Sequence, residues 1–494
     1  MTTHDGVGPA IVAPGQAHPP TIIGSGRQGR LEGRMGGVSL ALTVLAFSAP
    51  LSVVSGYIPF TIVFNGMGAP FAFVLATAIL LLFSVGYVTM AKWLPRPGAF
   101  YAFISTGLGK ATGLGAAYLA WISYLLVLTG TCAFLGISAT ALIENFGGSH
   151  TPWWLWSTLA WLLVSVLGYF NIELSAKVLS IAMVLEVTLV VIFDAFVVGQ
   201  GGSEGLSANP FSPITFLHGD IGVTMLFAMM VFMGFEATAI FREEVRDPEK
   251  TIPRATYGAV IFVGVLYTAS CYALVVAFGS RAVDTATAAP AQMFNKAIGD
   301  FVNPVFVNIA LTLVITSVLA AMLSIHNVIA RYAYNLSTDG ALPRYFSQVH
   351  ARHGSPARAS NLVAAAAGLV VLGMATLPFD ENVLYAQLVG LGSLGVLALM
   401  AVVSISVVVW FARKRGMISE SALKCYVAPG IAAVALTVTV ILAVLHLELL
   451  VGGEPGQYTW LIAILAAIFA TGVLVALYFR RARPEKYVHL GRTD

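Results

Sequence analysis

V-F-M-G-F-E-A-T-A-I-F-R-E-E-V-R-D-P-E-K-T-I-P-R, residues 231–254, joins the end of an apolar segment to a dense run of mixed charge. The apolar part begins near Ile221 and carries a glycine, Gly234, and a carboxylate, Glu236, within three positions. A helix in lipid breaks only where its freed backbone groups face protein or a water-filled cavity. A carboxylate at membrane depth is costly and marks a functional site by default. The stretch therefore points to a solute pathway through a membrane-spanning domain.

The rest of the chain fits that setting. Of its 494 residues, 58% are hydrophobic and only 10% charged, against about 25% charged in a soluble domain. The composition predicts an all-α integral membrane protein. About twelve segments come near the roughly 20 apolar residues that cross a bilayer: 38–64, 70–93, 112–143, 153–169, 174–198, 221–241, 255–278, 304–334, 359–377, 383–411, 426–447 and 458–479. With the N-terminus inside, 24 of the 26 basic residues fall on inside segments, and only Arg281 and Lys296 fall outside. Such asymmetry is what the positive-inside rule requires. It predicts a cytoplasmic membrane protein with both termini in the cytoplasm.

Internal order is visible as well. The first span is interrupted by Pro50, Gly56 and Pro59, the sixth by Gly234 and Glu236. Gly/Pro-interrupted spans at matching places in two halves are a pointer to a transporter site. The expected division is a cytoplasmic tail (1–37), a first five-helix repeat (38–198), an extracellular loop (199–220), a second five-helix repeat of opposite orientation (221–411), helices 11 and 12 (412–479) and a second tail (480–494). The third and eighth spans are both long, which predicts strong tilt. The tail 1–37, rich in Gly and Pro, reads as disordered, and no secretory leader is expected. The outer segment A-A-P-A-Q-M-F-N-K-A-I-G, residues 288–299, has the look of a short amphipathic helix over an outer vestibule.

If the first span breaks across residues 49–54, its outer half begins at the middle of the membrane. Free N–H groups and the positive dipole end there suit a carboxylate. The sixth span enters from the outside, so carbonyls around Met230 to Met233 face the centre and suit an ammonium. One amino-acid backbone supplies both charges. Ser52 and Ser55 add hydroxyl donors, unless each bonds back to its own helix.

The run G-F-E-A-T-A-I-F-R-E-E-V-R-D-P-E-K-T-I-P-R-A, residues 234–255, resembles the sixth-span signature of the amino acid–polyamine–organocation superfamily of permeases. P-R-P-G-A-F-Y (95–101) and R-Y-A-Y-N-L-S-T-D-G-A-L-P (331–343) match in order. The resemblance implies twelve spans, a five-plus-five inverted repeat with discontinuous helices 1 and 6, and secondary transport of amino acids or related amines by alternating access. It places the substrate among Pro50, Leu51, Ser52, Val53 and Val54 on span one, Tyr124 on span three, Phe232, Met233, Gly234 and Phe235 on span six, and Ile325 on span eight. The span-one run S-A-P-L-S-V-V-S-G departs from the glycine-serine-glycine type common in the family. Pro50 still breaks the hydrogen-bond ladder.

Two carboxylates are candidates for proton coupling, Glu236 beside the sixth-span break and Glu186 in the middle of span five. Desolvation disfavours the charged form of a carboxylate, which suits Glu186 to loading and releasing a proton. Asp194, on the same span, reads as interfacial, and His326 as a packed, hydrogen-bonded histidine. Cys132, Cys271 and Cys425 show no metal or redox spacing and read as inert thiols. No phosphate-binding G-x-x-x-x-G-K-[ST] loop occurs. The expected activity is proton-coupled symport, with substrate–product exchange, a membrane-embedded enzyme and a non-transporting sensor as alternatives. The expected partners are a small amino acid or amine, protons or sodium, and the lipid bilayer. No nucleic acid, cofactor or metal is expected, and the chain is expected to be a monomer or a weak homodimer.

Overall fold

The computed structural model describes residues 36–94, 99–170, 173–350, 354–376, 381–451, 454 and 456–491. The expected N-terminal tail up to residue 35 and the P-R-P-G part of the 95–101 motif lie outside the described residues. So do Arg27, Arg30, Arg34, Arg96, Arg352 and Arg492 of the charge count.

Every regular element among the described residues is helical. The first span is built of three pieces, α1 (Gly37–Ser48), α2 (Pro50–Gly56) and α3 (Ile58–Asn65). After it come α4 (Ala69–Ala91), α5 (Ala99–Leu108), α6 (Lys110–Asn145), α7 (Trp153–Tyr169) and α8 (Glu173–Gln200). The short α9 (Pro213–Leu217) leads into the sixth span, α10 (Ile221–Met230) followed by a 3₁₀ run, Phe235–Glu244. Next are α11 (Pro248–Phe278), α12 (Ala282–Ala288), α13 (Pro290–Phe301) and α14 (Pro304–Thr338). The chain continues through α15 (Ala357–Thr376), α16 (Glu381–Arg413), α17 (Ala428–Leu445), α18 (Leu447–Val451), α19 (Trp460–Ala482) and α20 (Pro484–His489).

Ten stretches of the described residues are long and apolar enough to cross a membrane, and two shorter apolar ones, Leu40–Gly56 and Trp153–Tyr169, stand at the other expected positions. The fold is thus an all-α, multi-pass membrane fold. α6 has 36 residues and α14 has 35. At about 1.5 Å per residue each exceeds 50 Å, well over the ~30 Å hydrocarbon core, so both must tilt or project. α6 packs against α16, α19 and α14, and α19, the least buried of the spans, lies at the edge of the bundle.

Both interruptions have local causes. Ala49 separates α1 from α2 and takes a left-handed conformation, with φ 44 and ψ 67. Pro50 has no N–H to extend the ladder of α1, and proline fits the first turn of a new helix. The break is therefore narrower than the 49–54 expected, because residues 50 to 54 wind into α2. A second irregularity falls at Tyr57, between Gly56 and Pro59, where the Tyr57 N–H still reaches the Val53 carbonyl at 2.9 Å. In the sixth span α10 ends at Met230 and Gly234 adopts φ 111. That left-handed value favours glycine, and a Cβ there would lie 2.6 Å from the Phe47 ring.

The C-terminal end of the first span and the N-terminal end of the sixth are tied together. The Asp220 N–H donates to the Phe64 carbonyl at 3.0 Å, and the Asp220 carboxylate accepts the Val223 N–H at 2.9 Å, capping α10. α13 is the expected amphipathic outer helix. It buries Met293, Phe294, Ala297 and Ile298 and packs against α2, α3, α8, α11 and α14.

Candidate functional site

Ser48 is the last residue of α1, and its Oγ reaches the Val231 carbonyl just past the end of α10 at 3.3 Å. The Tyr267 hydroxyl on α11 donates to the Ser48 carbonyl at 3.0 Å and lies 2.6 Å from Ser48 Oγ. The two breaks thus face each other, and a buried tyrosine holds them in place.

Beside this junction is a cavity of about 60 Å³, enclosed by the first, third, sixth and eighth spans together with α16. That is room for several waters, since one needs ~10–15 Å³. Of the residues expected at the substrate, Ser52, Val53, Met233 and Ile325 line it. Pro50, Leu51 and Val54 lie elsewhere on α2. Phe232 meets Tyr267 edge to face at 6.4 Å between ring centroids, and Phe235 meets Phe83 at 5.8 Å. Gly234 backs onto Phe47, and Phe47 lines the cavity. Tyr124 also reaches the cavity only through Phe47, whose ring it touches edge to face at 6.0 Å.

Two hydroxyls at the cavity, Ser52 Oγ and Ser393 Oγ, are buried and have no hydrogen-bond partner among the described residues. A buried unpaired hydroxyl is costly, and a polar guest in the cavity would relieve both. Sequence reasoning missed Ser393 and Val389, because nothing in the uniformly apolar α16 marks one face. It also missed Ser48, Tyr57 and Thr131. For Ser48 a signal was available, its place just before the Ala-Pro interruption.

Glu236 is fully buried. Its Oε2 accepts the Gly234 N–H at 2.8 Å, its Oε1 accepts the Tyr124 hydroxyl, and the Tyr87 hydroxyl donates to its backbone carbonyl at 2.5 Å. The carboxylate thereby holds the unwound turn to α6, while Tyr87 holds it to α4. Glu186 on α8 is 2% exposed, and the Leu51 N–H and the Ser317 hydroxyl face its carboxylate. The amide end of α2, read from sequence as the place for a substrate anion, is therefore already faced by an acidic side chain of the protein. Among the described residues neither carboxylate has an ion-pair partner.

Asp194 is half-buried, where the sequence reading put it at an interface; it accepts the Ser270 hydroxyl at 2.9 Å. His326 is buried between α7 and α15, with its Nε2 2.8 Å from Ser360 Oγ and its ring against Gly168. The three cysteines are free and buried. At the C-terminal end of the sixth span the Arg331 guanidinium stacks 4.4 Å over the Phe241 ring, and Arg242 donates to the Ala91 carbonyl at 2.9 Å. The described residues contain no cluster of His, Cys, Asp or Glu that could hold a metal ion.

Comparison with known proteins identifies this architecture. The profile of the amino acid permease family matches residues 46–486. The chain is 26% identical over 384 residues to the branched-chain amino acid permease BcaP of Bacillus subtilis (strain 168), covering 74% of this chain and 77% of that one. It is 25% identical over 307 residues to the aromatic amino acid transport protein AroP of Escherichia coli (strain K12), covering 60% and 64%. It is 24% identical over 317 residues to the low-affinity putrescine importer PlaP of the same strain, covering 61% and 66%. With a family match across both interrupted spans and the cavity between them, the chain belongs to the amino acid permease family, whose members are membrane transporters rather than enzymes.

Proposed function

We propose that the protein is a secondary active transporter that moves an amino acid or a related amine across the cytoplasmic membrane by alternating access, with both termini in the cytoplasm. The observation that carries this reading is the cavity where the interrupted first and sixth spans meet, with its two unpartnered hydroxyls. At about 60 Å³ it is far below the ~300 Å³ of an ordinary small-molecule pocket. Loading therefore requires the spans to part, as transport between two facing states demands. Residues 38–198 and 221–411 supply the two five-helix repeats that would rock about this point, with α17 and α19 as the appended helices. The stacked pair Phe241 and Arg331 serves as the inner closure.

The relatives differ in what their names say they carry, from branched-chain and aromatic amino acids to putrescine. Phe47, Val53, Met233 and Ile325 give the cavity an apolar lining that suits an uncharged side chain. The Val231 carbonyl and Ser52 hydroxyl are placed to take an ammonium group. Proton symport runs through Glu186, Glu236 or both. Their burial without a counter-ion supports this, since a proton is the cheapest way to neutralise a carboxylate there.

Proteoliposomes test the proposal. Uptake is expected to follow an imposed pH gradient, and a Glu186→Gln protein is expected to lose that dependence. Unchanged gradient-driven uptake by this variant removes Glu186 from the mechanism. Uptake that requires preloaded internal solute replaces symport by exchange. A thermal-shift screen against amino acids, polyamines and smaller amines identifies the solute, because a ligand of the folded state stabilises it by mass action.

A further inference from the structure

A second cavity lies away from the interrupted spans. It measures about 410 Å³ and is walled by Tyr118, Trp121 and Ile122 of α6, Leu362 of α15, and Ile468 and Thr471 of α19, with Leu336 and Leu342 at the end of α14. Tyr118, Trp121 and Ile122 stand at i, i+3 and i+4, so they share one helix face. Thr471 contributes no free donor, since its hydroxyl bonds the Ala467 carbonyl at 2.7 Å. The Trp121 indole N–H is buried and has no acceptor among the described residues.

Depth limits what can fill this space. Trp121 lies eleven residues into α6 and Thr471 eleven residues before the end of α19. Both helix ends sit on the basic face of the protein. Eleven residues are about 16 Å of helix, comparable to half of the ~30 Å hydrocarbon core. The cavity is therefore at acyl-chain depth in the leaflet on the basic side, the cytoplasmic leaflet by the charge rule. Water there would meet almost no polar partner.

Two arginines stand close in sequence to residues that wall the cavity. Arg358 is one turn before Leu362 on α15, and Arg344 follows Leu342 by two residues. Both are exposed, and Arg358 is held in place by stacking 4.5 Å over the Tyr345 ring and bonding its hydroxyl. Two guanidiniums at the headgroup level below an apolar slot match an anionic phospholipid, phosphate against the arginines and chain in the slot.

We propose that this cavity is a binding site for one anionic phospholipid of the cytoplasmic leaflet. The site is separate from the cavity at the interrupted spans and does not depend on what the protein transports.

Titration of the detergent-solubilised protein with phosphatidylglycerol bearing brominated acyl chains tests it through tryptophan fluorescence. The expected result is saturable quenching that Trp121→Phe largely removes. Affinity is expected to fall roughly fivefold for each of Arg344→Gln and Arg358→Gln, and brominated phosphatidylcholine is expected to bind correspondingly weakly. Native mass spectrometry of the wild-type and Leu362→Trp proteins gives a second readout. One retained phosphatidylglycerol is expected for the former and none for the latter, whose slot is filled. Quenching that stays proportional to the lipid-to-detergent ratio, or that Trp121→Phe leaves intact, overturns the site. Equal affinity for the two headgroups overturns its anionic character.

Discussion

The Ser48 Oγ and the Tyr267 hydroxyl lie 2.6 Å apart, linking the last residue of α1 to α11 at the level where both interrupted spans come open. Because Tyr267 also donates to the Ser48 carbonyl and Ser48 reaches the Val231 carbonyl, one phenol fixes the geometry on which the cavity depends. Tyr267→Phe is expected to cost about 1–3 kcal/mol, the range for a buried carbonyl that loses its donor. A thermal melt measures that loss. Uptake kinetics should show a higher KM, since Ser48 and Val231 line the cavity. An unchanged KM would mean that the phenol serves stability alone.

Gly234 has no substitute that keeps the sixth span as it is. Gly234→Ala places a Cβ against the Phe47 ring and forces a side chain onto φ 111. Overpacking of this kind costs about 1–3 kcal/mol, and here backbone strain adds to it. Reduced melting temperature and much reduced uptake are expected. Gly234→Ala with Phe47→Ala should recover part of the stability and little of the transport, because Phe47 also walls the cavity.

Tyr124 and Glu236 form one unit, so their replacements should not add. Tyr124→Phe leaves a buried carboxylate oxygen without its donor, and Glu236→Gln changes what the tyrosine and the Gly234 N–H can bond. A double-mutant cycle on denaturation free energy is expected to give a coupling of about 0.5–3 kcal/mol. A coupling near zero would show that the carboxylate holds the turn through Gly234 only.

Glu204 accepts both the Ser280 N–H at 3.0 Å and the Ser280 hydroxyl at 2.5 Å, joining the loop after α8 to the one after α11. These bonds, with a smaller contribution from Arg281, hold its carboxyl below the ordinary 4.5. A carboxyl lowered on folding adds stability that is fully present above its unfolded value and disappears as pH falls through the folded one. Melting temperatures of wild type and Glu204→Gln should therefore differ at neutral pH and converge as pH drops below 4.5. A constant difference across that window would show that the clasp contributes nothing through its charge.

The spans were legible in the sequence because each is a local property, a run of apolar residues bounded by loops whose charges differ in sign and number. The positions of the two breaks were legible too, since Pro50 and Gly234 act on their own backbone. The cavity walls were not. α16 is apolar on every side, and only packing against α6 decides that Ser393 and Val389 turn inward. The bond from Tyr124 to Glu236 joins residues 112 apart, and the facing of Glu186 toward Leu51 joins the fifth span to the first. Neither leaves a trace in periodicity. The break in the first span proved to be one residue wide for a local reason that was available, the comfort of proline in a first helical turn.

The stretched coil of the sixth span has a mechanical consequence. A 3₁₀ coil advances about 2.0 Å per residue and an α-helix about 1.5 Å. Over the ten residues Phe235–Glu244 the difference is about 5 Å, close to one α-helical turn. Rewinding this segment would draw Phe241 and Arg242, seven and eight residues into it, toward α10 by about 3.5–4 Å and pull them off Arg331 and the Ala91 carbonyl. Rewinding alone would therefore free Phe241 and Arg242 from their partners without moving α10 at all, a stroke set by the backbone of the sixth span itself.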